Sequence, residues 1–404
     1  MIRAVPRQPG LLTLIALSAL AVLPVSMFPP SLPGIAQAFQ ADYAVVNLAV
    51  AGYAWVAALV QLVMGPLSDR FGRRPVLLAA LALFTLASLG CALAAGLSTF
   101  LALRLLQAVV IAGYSVTLAV IRDCWDERAA ASVIGYVAVG WALAPILGPV
   151  LGGLLDGLLG WRATFWALAA CGAAVLALCA AALPETNMAR SASVAGQFRT
   201  FPELLRSRRY WAYVLCMTCT TGAFYAFLSA APLAARTLFA MPPAAIGLAM
   251  GSSTAGFMLG SYLAGRYAAR HPPTTTMIAG MAIACAGLAA GLVALSLGIV
   301  HVAVVFGPCI AFGLGNGLSL AGASAGAMSV RPHLAGAASG LAGALSVAGG
   351  AAFSSLTGAL LTEANSGHVM LGMMLCSCSA ALAAAYCVLR LDRQAPAPAA
   401  ASGG

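Results

Sequence analysis

Twelve apolar runs, each long enough to cross a bilayer, decide what this chain can become. They fall near residues 11–31, 46–66, 75–96, 98–121, 131–154, 163–183, 210–232, 244–265, 274–295, 301–325, 335–358 and 367–390. A hydrocarbon core about 30 Å thick takes about 20 residues of α-helix. Inside it no water satisfies stray N–H and C=O groups, so the helix is the form such runs adopt. Of the 404 residues 62% are hydrophobic and 7% charged, whereas a soluble domain carries about 25% charged residues. The expected fold class is an all-α polytopic membrane protein with twelve transmembrane helices, and the lipid bilayer is its first partner. Glycine and alanine crowd every run, which suits close helix packing where lipid gives no hydrophobic drive.

The net charge of +10 comes from 20 basic residues, all arginine. They sit in short loops, so they read as topology signals rather than as a nucleic-acid footprint. Arg3, Arg7, Arg70, Arg73, Arg74, Arg122, Arg128, Arg190, Arg199, Arg206, Arg208, Arg209, Arg266, Arg270, Arg331, Arg390 and Arg393 lie in the even-numbered loops and the termini. The odd-numbered loops hold only Arg162 and Arg236. Seventeen against two places both termini in the cytoplasm. The first run follows Arg3 and Arg7 as in a signal peptide, but shows no small-residue cleavage site, and reads as the first span. Eleven cysteines lie mostly inside apolar runs, Cys216 and Cys219 among them. Small lipid-compatible side chains explain them, and no cofactor or metal is expected.

The longest polar segment, 184–209, reads as a cytoplasmic linker between two six-helix bundles, 1–183 and 210–393. Its part from 198 to 209 has the makings of a surface helix, and the Ala/Pro/Gly tail at 394–404 is expected to be disordered. A faint repeat crosses the linker. Shifted by 196 residues, Arg266 and Tyr267 fall on Arg70 and Phe71, and Arg270 on Arg74. Such parallel halves place a substrate site near the midplane between them.

Residues 65–75 read Gly-Pro-Leu-Ser-Asp-Arg-Phe-Gly-Arg-Arg-Pro. Too charged for lipid, they predict a tight turn, with Gly65 and Gly72 freeing the backbone and Pro66 and Pro75 marking helix ends. Asp69 among Arg70, Arg73 and Arg74 can form an ion-pair cluster or sit on a helix N-terminus. A plain positive-inside loop would need only the arginines. This stretch resembles the loop signature of the major facilitator superfamily, Gly-x-x-x-Asp-Arg-x-Gly-Arg-Arg, complete here at Gly65, Asp69, Arg70, Gly72, Arg73 and Arg74. The resemblance implies two pseudo-symmetric six-helix bundles, no enzyme activity, and a cytoplasmic latch in which Asp69 and Arg122 take part.

The fifth run carries Gly135, Ala144, Gly148, Pro149, Gly152 and Gly153. Pro149 removes a helical hydrogen bond and the glycines admit a close neighbour. The spacing resembles the antiporter signature of drug:proton exchangers, with Ala144 in place of a glycine; ordinary Gly-rich packing is the alternative. Arg104, about 10 Å into the fourth run at 1.5 Å per residue, must face protein or a wet cavity, or else snorkel outward. Arg104 and Gln107 resemble the Arg-x-x-Gln coupling motif of the same exchangers. Local features at 27–33, 161–166 and 222–229 are similar to the bicyclomycin/chloramphenicol-resistance branch. That branch usually carries an Asp in helix 1 where this chain has Ser26, and no run has a carboxylate near its centre: Asp42, Asp156 and Glu363 lie at outer ends, Asp69 and Asp123 at inner ends.

A lone central arginine with no buried acid tilts the expected cavity towards neutral or anionic substrates. Candidate liners are Ser26, Asn47, Tyr53, Tyr114, Tyr136, Thr221, Tyr225, Ser253 and Asn316. The resemblance implies a monomeric bacterial inner-membrane exporter of small amphipathic compounds, driven by proton antiport. The alternatives are an exporter or facilitator of an organic anion or siderophore-like metabolite without carboxylate-based coupling, and a membrane sensor or enzyme.

Overall fold

The computed structural model describes residues 8–187, 201–267 and 270–394. Its long helices are α1 Leu11–Met27, α2 Leu48–Phe71, α3 Arg73–Leu93, α4 Leu97–Cys124 (with one 3-10 turn at Ala108–Ile111), α5 Glu127–Leu159 and α6 Arg162–Ala182. After them come α7 Arg208–Phe239, α8 Pro243–Tyr267, α9 Pro273–Ser296, α10 Val302–Ser329, α11 Ala335–Leu360 and α12 Ser366–Gln394. Among the described residues 11 of these helical stretches are long and apolar enough to span a bilayer. The twelfth, α8, has 25 residues, the length of a span, but Ser252, Ser253, Thr254 and its glycines dilute its hydropathy. It is wedged between α5 and α10, where protein rather than lipid meets its polar side chains.

Three sequence expectations change at helix ends. The turn predicted over 65–75 is a single residue, Gly72, at φ 105°; α2 runs through Pro66 to Phe71. A proline inside a helix frees the carbonyl four residues earlier, here Leu62, and both residues line a cleft where that carbonyl need not face lipid. The surface helix expected over 198–209 is a short helix Phe201–Leu205, after which Ser207 caps α7 by accepting a hydrogen bond from the Tyr210 N–H at 3.3 Å. Arg208 and Arg209 therefore belong to the spanning helix. Residues 188–200 of the expected linker and 395–404 of the expected tail lie outside the described residues.

Helices of the first six pack on one another, α1 on α5 and α3 on α6. Those of the last six do likewise, α7 on α11 and α12, and α10 on α8 and α9. The two sets meet through α2 on α11 and α5 on α8. Glycine makes the α5 contacts possible. A Cβ on Gly152 would overlap the Met27 carbonyl of α1, one on Gly153 the Pro243 carbonyl, and one on Gly247 of α8 the Pro149 carbonyl. Gly135, by contrast, faces open space.

Pro149 has no N–H for the carbonyl of Pro145, one turn back. Thr254 of α8 supplies the missing donor, its Oγ1 lying 3.1 Å from that oxygen. At the N-terminal end of α2 a second set of bonds crosses between the halves. Tyr43 donates to the Ser229 carbonyl at 2.8 Å and Asn47 Nδ2 to the Ser354 carbonyl at 3.0 Å, while the hydroxyls of the two acceptor residues, both in the second half, bond to each other at 2.7 Å.

Thr254→Val keeps the shape and leaves the Pro145 carbonyl without a donor, so it is expected to destabilise the protein by about 1–3 kcal/mol. Gly135→Ala meets nothing and is expected to be neutral or slightly stabilising. Thermal unfolding of the two purified variants checks the contrast, and equal losses would refute it.

Candidate functional site: a cleft between the halves

A cavity of about 760 Å³ separates the two sets of helices. Its mouth carries Asp69, Arg73, Arg122, Asp123 and Gly336, at the end where α2 turns into α3. Its depth reaches Tyr53, Trp141, Phe224, Tyr225, Ser253 and Asn316. Beyond them the halves close, where a Cβ on Gly358 of α11 would overlap Asn47.

Six predicted liners face this cleft: Tyr53, Tyr114, Thr221, Tyr225, Ser253 and Asn316. Three do not. Ser26 is buried against α5, donating to the Ala144 carbonyl at 3.1 Å with Gly148 leaving it room. Asn47 is spent in the α2–α11 clasp. Tyr136 is 56% exposed on α5, outside the cleft lining. Sequence reasoning missed Gln61, Trp141, Phe224, Thr254 and Phe257. Gln61 and Thr254 carried a readable signal, being polar residues inside apolar runs.

Arg104 does not reach the cleft. It is 0% exposed, with Nη2 donating to the Pro24 carbonyl at 2.7 Å, Nε to the Ala49 carbonyl at 3.3 Å and Nη1 to Gln107 Oε1 at 2.7 Å. Its guanidinium lies 4.0 Å from the Phe28 ring centre and 4.2 Å from that of Tyr53, a double cation–π contact. The Pro24 acceptor exists because α1 ends at Met27 before Pro29 and Pro30, so the last-turn carbonyls lack helical partners. Gln107 in turn donates to Ser88 Oγ at 2.7 Å, and Ser88 to the Phe84 carbonyl. The charge is sealed behind Tyr53. Of the expected alternatives, protein, a wet cavity or outward snorkelling, the structure has Arg104 facing protein, so its guanidinium does not enter the cleft.

The cluster at the mouth is built inside the first six helices. Arg73 at the start of α3 pairs with Asp69 of α2 across the Gly72 turn and with Asp123 of α4 at 3.3 Å, and donates to Ser68 Oγ at 2.6 Å. The carboxylate on the α3 N-terminus is not Asp69 but Glu185, which accepts from the Arg73 and Arg74 N–H groups at 2.9 and 3.3 Å. A Cβ on Gly72 would overlap Glu185, so that glycine is required by both its φ and its neighbour. Asn187 Nδ2 donates to the Asp69 carbonyl at 2.6 Å and Thr186 to Asp123 at 3.0 Å. Residues 184–187 thus staple the α2–α3 turn to the end of α4. Arg122 makes no ion pair among the described residues; its Nη1 faces Gly336 of α11 across the mouth.

Lysine offers one point charge where Arg104 offers a planar fork to three acceptors. Arg104→Lys is expected to lower stability by about 1.5–3 kcal/mol for each charge-assisted bond it cannot remake. Thermal unfolding in detergent measures the loss, and a variant as stable as the parent would refute the role.

The model of the Major Facilitator Superfamily matches residues 14–355. A chloramphenicol resistance protein of Pseudomonas aeruginosa is 35% identical over 218 residues, 53% of this chain and 51% of that protein, so the match spans about half of that relative. The multidrug resistance protein MdtL of Escherichia coli O9:H4 (strain HS) is 30% identical over 79% of this chain and 81% of its own length. Among solved structures, a bacterial homologue of the human lysosomal transporter Spinster, in an inward-facing and unoccupied conformation, superposes with a TM-score of 0.77. It does so at 17% identity over 96% of this chain and 98% of that one. The human organic anion transporter MFSD10 gives 0.64 at 17% identity, over 94% and 98%. The family match over residues 14–355 and these relatives identify the chain as a member of the major facilitator superfamily, a multi-pass membrane transporter and not an enzyme.

Proposed function

We propose that this protein exports small amphipathic compounds across a bacterial inner membrane by alternating access, with bundles 1–183 and 210–393 rocking as a monomer. The observation that carries the reading is a cleft between the halves, open at the arginine-rich end and closed at the other. The arginine bias puts the open end and both termini in the cytoplasm, where an exporter collects its cargo. The relatives named for chloramphenicol and multidrug resistance support export of drug-like molecules.

The chemistry of the wall supports an uncharged cargo. Tyr53, Tyr114, Trp141, Phe224 and Tyr225 give aromatic surface, and Gln61, Thr221, Ser253 and Asn316 add uncharged polar groups. Hydroxyl and amide groups on a ligand match such groups. A cation would meet no carboxylate on the floor and the Arg104 charge behind Tyr53; an anion would meet no basic side chain on that floor among the described residues. When the mouth shuts, Arg122 is free to meet Asp69 in the latch that holds the outward-facing state.

Proton antiport is the coupling we favour, running through carboxylates at the gates. A second reading, export or facilitation without proton exchange, is favoured by one observation: no acid lines the floor of the cleft among the described residues. Proteoliposome flux of chloramphenicol, tetraphenylphosphonium and salicylate, each with and without a pH gradient, tests all of this. Chloramphenicol efflux that rises at least about tenfold with an opposing gradient, worth about 1.4 kcal/mol of driving force, is expected. Gradient-independent flux selects the uncoupled reading, preferred flux of an ionic probe refutes the neutral cargo, and no flux of any probe refutes export of this class.

A further inference from the structure

Asp156 on α5 stands in the closed seam between the two halves. Its neighbours Gly153 and Gly157 lie against Pro243 and Ala244 at the start of α8, and the 3-10 turn Pro29–Ser31 packs on α5, α7 and α8 together. Its Oδ2 is closed to solvent and has no hydrogen-bond partner, and the Ser31 hydroxyl beside it is equally orphaned. The groups that face the carboxyl are Ser31 and, from the opposite half, Arg236 of α7. No ion pair among the described residues joins Asp156 to Arg236. The residue as a whole is half-buried.

We propose that Asp156 is a proton-binding site that latches the closed end, carrying a proton while the seam is shut and losing it to external water when the seam parts. A carboxylate oxygen shut away from solvent, with no cation in contact and only the Ser31 hydroxyl beside the group, is disfavoured when charged, whereas a protonated carboxyl offers Ser31 a donor as well as an acceptor. Opening the seam hydrates the group and lets it ionise. The sign follows: acid outside holds this end shut, and raising the pH releases it. The proton acts as a ligand of the gate, which requires no acid on the floor of the cleft. The position is also compatible with the change at residue 26, where Ser26 is packed between α1 and α5 and cannot titrate. The inference rests on alternating access, and the experiment separates the two.

Spin labels attached by non-cysteine chemistry at Leu159 and Pro242, exposed residues flanking the seam, report the closed end. Labels at Phe71 and Tyr267 report the mouth. For the full chain in nanodiscs, the ratio of long to short Leu159–Pro242 distances is expected to rise at least about fivefold between about pH 5.5 and about pH 8.5, as Phe71–Tyr267 shortens. Asp156→Asn is expected to stay short across the range, and Asp156→Glu to restore the response. A titration in Asp156→Asn equal to that of the parent overturns the proposal, as does a parent that ignores pH while chloramphenicol moves both pairs. Distances that respond neither to pH nor to chloramphenicol overturn alternating access, and the latch with it.

Discussion

A guanidinium buried where neither water nor a carboxylate can reach it is the interaction the first six helices are arranged around. In lipid or in a dry bundle an unpaired charge is costly, and Arg104 has no acid to meet. Its neighbours compensate with dipoles and rings: two backbone carbonyls, one side-chain amide and two aromatic faces. Each partner comes from a different place, Pro24 and Phe28 at the broken end of α1, Ala49 and Tyr53 on α2, Gln107 on α4. Satisfying one arginine therefore fixes three helices relative to one another. It also explains why α1 breaks where it does, since a continuous helix would have used the Pro24 carbonyl itself.

The same rule, applied to prolines, connects the halves. Pro149 frees the Pro145 carbonyl, and the donor that meets it comes from Thr254, on the other side of the cleft. Further cross-links among the described residues are a tyrosine hydroxyl and an asparagine amide, both neutral and both donating to backbone carbonyls of the second half. Neutral bonds of about 1 kcal/mol each net can be broken and remade in a transport cycle; a row of buried ion pairs could not be parted as readily. Glycines let the α5 and α8 backbones touch, so much of the closure comes from shape, which is lost all at once when the surfaces separate.

Most of the fold was legible because a membrane leaves so few options: hydropathy runs of spanning length and arginine spacing state the number of helices and their order. The ends were less legible. Pro66 looked like a helix terminus, yet it lies inside α2, on a face where a freed carbonyl need not meet lipid. At the site, residue type was readable and direction was not. Tyr53, Thr221 and Asn316 point to the cleft, whereas Ser26 and Asn47, just as polar and also in pore-side helices, are used up in packing and in the clasp. Glu185 and Asn187 escaped notice because their partners, the N–H groups of Arg73 and Arg74 and the Asp69 carbonyl, are over a hundred residues away in the chain. No local pattern encodes such a contact. Arg104 was recognisable as buried, but whether its charge enters the cavity depends on the Tyr53 ring lying over it.

The two ends of the molecule consequently differ in kind. The mouth carries its charges at the edge of the cleft, with a buried Arg73 holding the partly exposed Asp69 and Asp123 together and Glu185 seated on the start of α3; partly exposed carboxylates of this kind can exchange partners as the mouth narrows. The closed end is built largely from hydroxyls, amides and glycine contacts, and into that seam, facing Arg236, the chain sets Asp156. A carboxyl in such a place is tolerated by the closed seam in one protonation state and by the open seam in the other. In a protein that must spend time in both conformations, that difference makes the residue a switch rather than a defect, and it locates sensitivity to protons at the gate while leaving the floor of the cleft free to select its cargo by shape, rings and hydrogen bonds.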